Sequence, residues 1–591
     1  MLKTPWSPSD PPLPEYPQPQ LTRDAWLNLN GWWEYAVVPR EQVRVEVYEG
    51  QIRVPYPIES ALSGVQRPLL PEERLWYRRD FELPEGWLER GQRVLLHFGA
   101  VDWQAELFVN GQRAGVHEGG YLPFTFDVTE LLQAGENELV VAVYDPTDAG
   151  LQERGKQVLK PGFIWYTAVS GIWQTVWLEP VPETRVAGLR MTPDLDAGTL
   201  ALEVALRGRA AGVRLEAVVF DGEVEVASGW GPAELPLTLT LPEPHPWSPA
   251  DPHLYDLRVR LVRDGQCLDE VGSYSALRKF SLERDARGYL RFHLNNRPLF
   301  LYGPLDQGYY PDGLYTPPSE EAMLFDIEYT KGIGCNVIRK HIKVEPARWY
   351  AACDRLGMIV WQDMPNGGKP IGTITNLLAL LAGLNYRDDR RMGRFGRGEE
   401  ANRARFRRDL QGMVEHLYNV PSIAIWGPFN EGWGQFRAQE IAAWLQAYDP
   451  TRLVDHASGW FDQGGGDLQS HHIYLRKLSR PRLDRERAWV ISEFGGYGLQ
   501  VPGHLWDEEK KFSQRNFTDA EALTRGYLEL LERLRGLIEG GLAAAVYTQT
   551  TDVEIEINGY LTYDRKVEKM DAALLRETHE ALYQTFARVM G

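Results

Sequence analysis

The sequence predicts a multidomain chain: an N-terminal β jelly roll, an immunoglobulin-like β-sandwich and a C-terminal (β/α)8 TIM barrel. Three observations carry this. Short strands with Gly and Asn turns fill residues 1–182, alternating strands fill 183–282, and from 283 to 591 short apolar runs alternate with amphipathic helical patterns. At 591 residues the chain exceeds a single ordinary core.

The first 22 residues or so are rich in proline and polar side chains, without periodicity, and are expected to lie across the body as an extended arm. Strands follow at Val94–Phe98, Ala105–Val109, Leu139–Tyr144 and Thr175–Leu178. Asn110-Gly111 marks a hairpin, because a type I′ turn needs positive φ at both central residues. Many short strands without helical periodicity indicate a sandwich or jelly roll. In the second unit, Leu200–Leu206, the Leu235/237/239/241 series and Leu257, Val259 and Leu261 alternate, as in an immunoglobulin-like sandwich.

The third unit holds eight apolar runs: Leu299–Leu301, Cys335–Ile338, Met358–Trp361, Ile423–Trp426, Arg452–Val454, Leu468–Ser470, Trp489–Ile491 and Ala543–Tyr547. Helical patterns fall between most of them, including Ser319–Lys331, Pro346–Leu356, Ala401–Tyr418 and Ala520–Leu537. That is the strand count of a (β/α)8 barrel. A doubly wound open sheet is the alternative, but neither G-x-G-x-x-G nor a Walker A loop is present. The connection from about Pro365 to Glu399 exceeds ordinary loop length, as functional loops do.

Composition narrows the function. A net charge of −18 disfavours nucleic acid, and the short basic run Arg403–Arg408 reads as a solvated helix face. No apolar stretch long enough for a membrane span occurs. The proline-rich start has no signal-peptide h-region, so a cytoplasmic location is expected. Cys267, Cys335 and Cys353 lack paired or metal-ligand spacing. There is no H-E-x-x-H and no G-x-S-x-G, so neither a zinc site nor a serine hydrolase is expected.

Barrel chemistry collects at the carboxyl ends of the strands. Reading those ends in order gives Asp306, then Arg339 and His341, then Asp363. Asn430 and Glu431 follow the fourth strand, His471, His472 and Tyr474 the sixth, Glu493 the seventh and Gln549 the eighth. Trp426 and Trp460 are interleaved. Carboxylates and amides suit sugar hydroxyls, and aromatic faces suit sugar C–H patches. Each has a plain structural reading too: Arg339 as an ion-pair partner, His341 as a satisfied core histidine, a lone glutamate as a solvated loop residue. Two glutamates closing buried strands four and seven make the arrangement a glycosidase needs.

At these residues the chain resembles glycoside hydrolase family 2, which holds β-galactosidases, β-glucuronidases and β-mannosidases. The likeness rests on Ser170-Gly171-Ile172-Trp173-Gln174-Thr175-Val176-Trp177, on Phe108-Val109-Asn110-Gly111 with His117–Tyr121, on Asn336–Arg339, on Asp354–Gly357, and on Gln549–Glu554 with Asn558-Gly559. The resemblance implies a retaining exo-glycosidase; that mechanism requires no cofactor, and the β-galactosidases' magnesium-site His is not identifiable here, so no metal is expected. It implies Glu431 as acid/base, Glu493 as nucleophile, Asn430 on the sugar 2-hydroxyl and Tyr474 near the nucleophile. Ionised Glu493 is expected to keep Glu431 protonated at working pH. The partner implied is a glycoside or oligosaccharide, with neither nucleic acid nor membrane, and a homo-oligomer stays open. A β-galactoside is the default substrate, with β-galactofuranoside or α-L-arabinofuranoside as alternatives. The glucuronidases' Asn-x-Lys after strand eight has no lysine here, in Glu556–Tyr560, which argues against glucuronides. A non-catalytic carbohydrate-binding protein is the competing reading.

Overall fold

The computed structural model describes residues 2–89, 91–369, 385–474 and 476–591. Residues 370–384, within the long connection singled out above, lie outside the described residues. In the first unit a six-stranded antiparallel sheet packs against a four-stranded one. Trp33, Leu75, Tyr77, Leu96, Leu107, Val141 and Leu178 fill the space between them. The Asn110-Gly111 turn has φ of 49° and 72°, and Val109 pairs with Gln112 across it, as a type I′ hairpin requires. In the second unit, sheets of three and four strands bury Leu200, Leu202, Leu257, Val259 and Leu261. Leu235 departs from the expected alternation: it precedes the strand Leu237–Thr240 and stands in solvent.

The barrel strands are β1 (Leu301–Asp306), β2 (Val337–Lys340), β3 (Ile359–Asp363), β4 (Ile423–Gly427), β5 (Leu453–Val454), β6 (Leu468–Ile473), β7 (Ala488–Gly495) and β8 (Ala544–Thr548). They pair in parallel in the order β5-β4-β3-β2-β1-β8-β7-β6, so the cylinder is nearly closed, without ladder pairing between β5 and β6 among the described residues. Leu305, Val337, Ile359, Ile425, Val490 and Val546 fill its interior. Around it lie α1 (Glu320–Gly332), α2 (Ala347–Leu356), α3 (Glu400–Leu417), α4 (Ala438–Tyr448), α5 (Ala520–Glu539) and α6 (Ala572–Met590). Ser319 caps α1 by accepting from the Ala322 N–H, and Asp519 caps α5 by accepting from that of Ala522. In α5, Leu523, Tyr527, Leu530, Leu534 and Ile538 recur at helical spacing and are buried.

Two segments tie the units together. The N-terminal arm crosses the body as expected: Thr4 donates to Asp312, the Tyr16 hydroxyl to Glu179 and Gln20 to the Asn419 carbonyl. A loop of the first unit reaches the barrel mouth, where the N–H groups of Arg154 and Gly155 donate to the Asn366 carbonyl, both at 2.9 Å. Gly155 sits at φ 62°, and a Cβ there would lie 2.9 Å from the Ile342 carbonyl, so only glycine lets the loop dock this closely. No helix among the described residues is long and apolar enough to cross a membrane.

Candidate active site

The carboxyl end of β4 turns sharply into the mouth. Asn430 forms a β-bridge to Ser458, and Glu431 and Gly432 both have positive φ, 51° and 78°. The Glu431 N–H donates to the Ser458 carbonyl at 2.9 Å, which fixes the turn. Opposite, β6 and β7 lose regular register at His471/His472, so that His472 faces Glu493 directly. Such bulges re-aim side chains. The strands therefore run further than the sequence suggests: His471 and His472 lie within β6, and Glu493 within β7, rather than beyond their ends.

His472 joins the two glutamates. Its Nδ1 is 2.8 Å from Glu431 Oε1, and its Nε2 is 2.9 Å from Ser458 Oγ and 3.5 Å from Glu493 Oε1. Arg339 lies beneath, fully buried. It donates to Glu493 Oε1 (3.1 Å), to the Ser492 carbonyl (2.9 Å) and to Asn430 Oδ1 (3.0 Å), and it pairs with Asp363 at 2.9 Å. The Tyr474 hydroxyl donates to Glu493 Oε2. Burial alone would raise the Glu493 pKa, but His472, Arg339 and the Tyr474 hydrogen bond hold it below the usual glutamate value. Burial and the Glu493 charge push the Tyr474 phenol well above its ordinary value, so it stays a donor. Burial raises Asp363 to about 7 against the pull of Arg339.

The other sequence-derived candidates divide into three groups. His471 and Trp460 are half-exposed beside Tyr474 and line an open cavity with His472. The Trp460 ring meets that of His472 edge-on at 5.4 Å. His341 and Gln549 are buried, joined through Gln307. The remaining four are engaged by other side chains in this structure. Arg339 and Asp363 form a buried ion pair under the carboxylates, and Asp306 is held by Lys340 at 2.6 Å and by the Gly308 N–H at 2.9 Å. Trp426 points out of the barrel into the helix layer, 0% exposed, and its Nε1 donates to Asp449 at 2.9 Å. Its place next to the inward Ile425 on one strand explains this, since neighbours on a strand face opposite ways.

Reading strand ends alone could not find the contribution of the first unit. Trp165 stacks on Trp433 at 4.6 Å, the Tyr166 hydroxyl donates to Glu556, and the Thr167 N–H donates to Glu554 at 2.7 Å. Lys156, 6% exposed, adds its charge to the surroundings of Glu493 and His341 and has no ion-pair partner among the described residues. Glu431, His472 and Glu493 each offer one ligand atom within 4.8 Å of the others, compact enough for a cation, although Glu431 Oε1 already meets His472 Nδ1 and Glu493 Oε1 accepts from Arg339.

Comparison with known proteins identifies a family. Family models match three stretches: Glycosyl hydrolases family 2, sugar binding domain, over residues 16–182; Glycosyl hydrolases family 2 over 184–278; and Glycosyl hydrolases family 2, TIM barrel domain, over 292–501. A putative beta-glucuronidase of Formosa agariphila is 25% identical over 420 residues, 68% of this chain and 46% of that protein. A beta-galactosidase of Klebsiella pneumoniae is 28% identical over 492 residues, 78% of this chain and 42% of that protein. The chain thus spans under half the length of these curated relatives. Among solved structures, the Bifidobacterium dentium beta-glucuronidase complexed with coumarin-3-O-glucuronide superposes with a TM-score of 0.74 at 19% identity, covering 96% of this chain and 98% of that one. The Dictyoglomus thermophilum beta-D-glucuronidase gives 0.73 at 18% identity, with the same coverage. At such identities the likeness is one of fold.

Proposed function

The chain belongs to glycoside hydrolase family 2, and from that premise we propose that it is a retaining, exo-acting glycosidase with Glu493 as nucleophile and Glu431 as acid/base. The observation that carries the reading is the carboxyl spacing: an oxygen of Glu431 lies within 4.8 Å of one of Glu493. Retaining enzymes work with carboxyls about 5–5.5 Å apart, whereas inverting ones need about 6.5–9.5 Å to admit a water between. In the first step Glu493 attacks the anomeric carbon and Glu431 protonates the departing oxygen, so the glycosidic bond breaks as the ester forms. In the second step water attacks that carbon, Glu431 takes its proton, and Glu493 leaves as carboxylate. Asn430 donates to the 2-hydroxyl, and no acceptor for its amide nitrogen occurs among the described residues. A bond that tightens as the oxocarbenium character develops stabilises the transition state more than the ground state.

A β-galactoside is the default substrate, supported by the name of the Klebsiella relative, and a furanoside suits the same two carboxylates. A β-glucuronide is the second reading. Lys156, a nearly buried ammonium without a carboxylate partner among the described residues, favours it, as does the name of the Formosa relative. Activated 2-deoxy-2-fluoro glycosides of these three classes test the assignment. The expected result is time-dependent inactivation by one class, with the fluorosugar recovered on the peptide carrying Glu493. Label on another residue, or steady turnover without label, would reject the role given to Glu493.

A further inference from the structure

Along the floor of the mouth, side chains are joined end to end. Glu556 accepts from the Tyr166 hydroxyl and, through Oε1, from Asn558 Nδ2 at 2.9 Å. Asn558 Oδ1 accepts from Gln549 Nε2 at 2.8 Å, and Gln549 Oε1 accepts from Gln307 Nε2 at 2.9 Å. Gln307 Oε1 then faces His341 Nδ1 at 2.9 Å.

This chain has a direction. A carboxylate offers only lone pairs, so Asn558 must turn its NH2 toward Glu556. Its carbonyl is left for Gln549, the same constraint passes to Gln307, and a carbonyl arrives at His341. A carbonyl accepts, so Nδ1 carries the ring hydrogen. Burial, with Lys156 and Arg339 nearby, holds the imidazole pKa well below its ordinary value, so the ring has one N–H. The lone pair is therefore on Nε2. That atom is buried without a partner among the described residues, in a side chain 2% exposed, and lies 3.9 Å from Glu493 Oε1. Glu493 Oε1 already accepts from Arg339, so Nε2 is the acceptor left without a hydrogen, and only a donor brought to it from outside the protein satisfies it.

We propose that His341 Nε2 takes the hydrogen of a sugar hydroxyl beside the nucleophile, and that the Glu556–Asn558–Gln549–Gln307 relay fixes the ring in the tautomer that can accept it. At that ring position a hydroxyl is admitted, while a carboxylate or a fluorine, which only accept, is refused. The identity of the ligand rests on the glycosidase reading above; the tautomer does not.

Two measurements test the proposal. In protein carrying 15N-labelled histidine, NMR reads which ring nitrogen is protonated, with the His341 signals assigned by their loss in His341→Phe. A single Nδ1–H form is expected, and mixed tautomers are expected once Gln549→Leu or Asn558→Leu cuts the relay. A protonated Nε2 in the wild type would overturn the proposal, as would an unchanged single tautomer in whichever relay variant keeps the wild-type circular dichroism. In the second measurement, monodeoxy and monodeoxyfluoro analogues of the best nitrophenyl glycoside compete as inhibitors. At one ring position both analogues should bind roughly a hundredfold more weakly than the parent, a gap that closes in His341→Phe. Fluoro analogues that bind like the parent at every position would refute an acceptor at Nε2. Complete absence of glycoside turnover would remove the glycosidase reading and leave the tautomer to be decided by NMR.

Discussion

Glu431 holds a left-handed backbone at φ 51°, a conformation that costs a non-glycine residue roughly 1–2 kcal/mol. A glycine at this position would relieve the strain, so it is the carboxylate that requires a side chain here. The strain is held by the N–H bond to Ser458 and by His472 on Oε1. If Glu431 is the acid/base, Glu431→Ala should lower turnover of glycosides with poor leaving groups by roughly 10²–10⁴-fold, and that of activated ones much less. Azide, small enough for the space vacated, should restore the rate on an activated substrate and yield a glycosyl azide of retained configuration. An inverted azide would instead make Glu431 the nucleophile. Both glutamates were legible in the sequence because each closes an apolar run that can only be a buried strand. The role of His472 between them was not, since it follows from irregular register in β6 and β7 that no local pattern announces. The segment Glu556–Asn558 was legible only as lacking a lysine. Its part in orienting Gln549 and His341 depends on contacts across the barrel.

Among the elements, α2 shows how the second unit is fastened to the barrel. Asp354, near the helix end, accepts from the Ser422 N–H at 3.0 Å, just before β4, and from the Tyr274 hydroxyl of the sandwich at 2.7 Å. Its backbone carbonyl accepts from Trp247 Nε1 at 2.7 Å. Burial raises the Asp354 pKa to about 6, with the Ser422 and Tyr274 hydrogen bonds pulling against it. An unfolded aspartate titrates near 3.9. Between these values the folded chain binds more protons at this site than the unfolded chain, so the contribution of Asp354 to stability declines as pH rises through the window and levels above it. Asp354→Asn keeps both hydrogen bonds, with the bond to Tyr274 reversed, but cannot ionise. The stability of the variant minus that of the wild type should therefore grow by about 2–3 kcal/mol from pH 4 to pH 7, read from denaturant unfolding of paired samples. A flat difference would mean that burial at Asp354 is not what sets its charge. Helices and strands at this scale were largely legible, because the apolar spacing of β4 or α5 is local. The destination of Trp426 was not, since an aromatic residue at a strand end can face the mouth or the helices, and only its neighbour across the layer, Asp449, decides.

Over the whole molecule, the mouth of the barrel is completed by another unit. The loop bearing Arg154, Gly155, Lys156, Trp165 and Tyr166 closes over it, held by backbone bonds to Asn366, by the Trp165–Trp433 stack and by Tyr166 on Glu556. The order of the three units follows from composition and periodicity, but their convergence on one site does not, because a loop of the first unit carries no mark of the cavity it enters. Lys156 makes this convergence measurable. It has no ion-pair partner among the described residues, so removing its charge leaves no carboxylate stranded, and Lys156→Met should fold with a thermal midpoint close to that of the wild type. Its effect should fall on substrate instead. A charge-assisted hydrogen bond is worth about 1.5–3 kcal/mol, or roughly 10–150-fold. If Lys156 meets the carboxylate of an acidic sugar, kcat/KM for a nitrophenyl glucuronide should drop by that factor while the galactoside changes little. If it serves the neutral glycoside, by hydrogen-bonding a hydroxyl and supporting the charge on Glu493, the galactoside should drop and glucuronide turnover should be negligible in both proteins. Unchanged kinetics on every glycoside cleaved would show that the first unit only covers the barrel mouth and does not read what enters it.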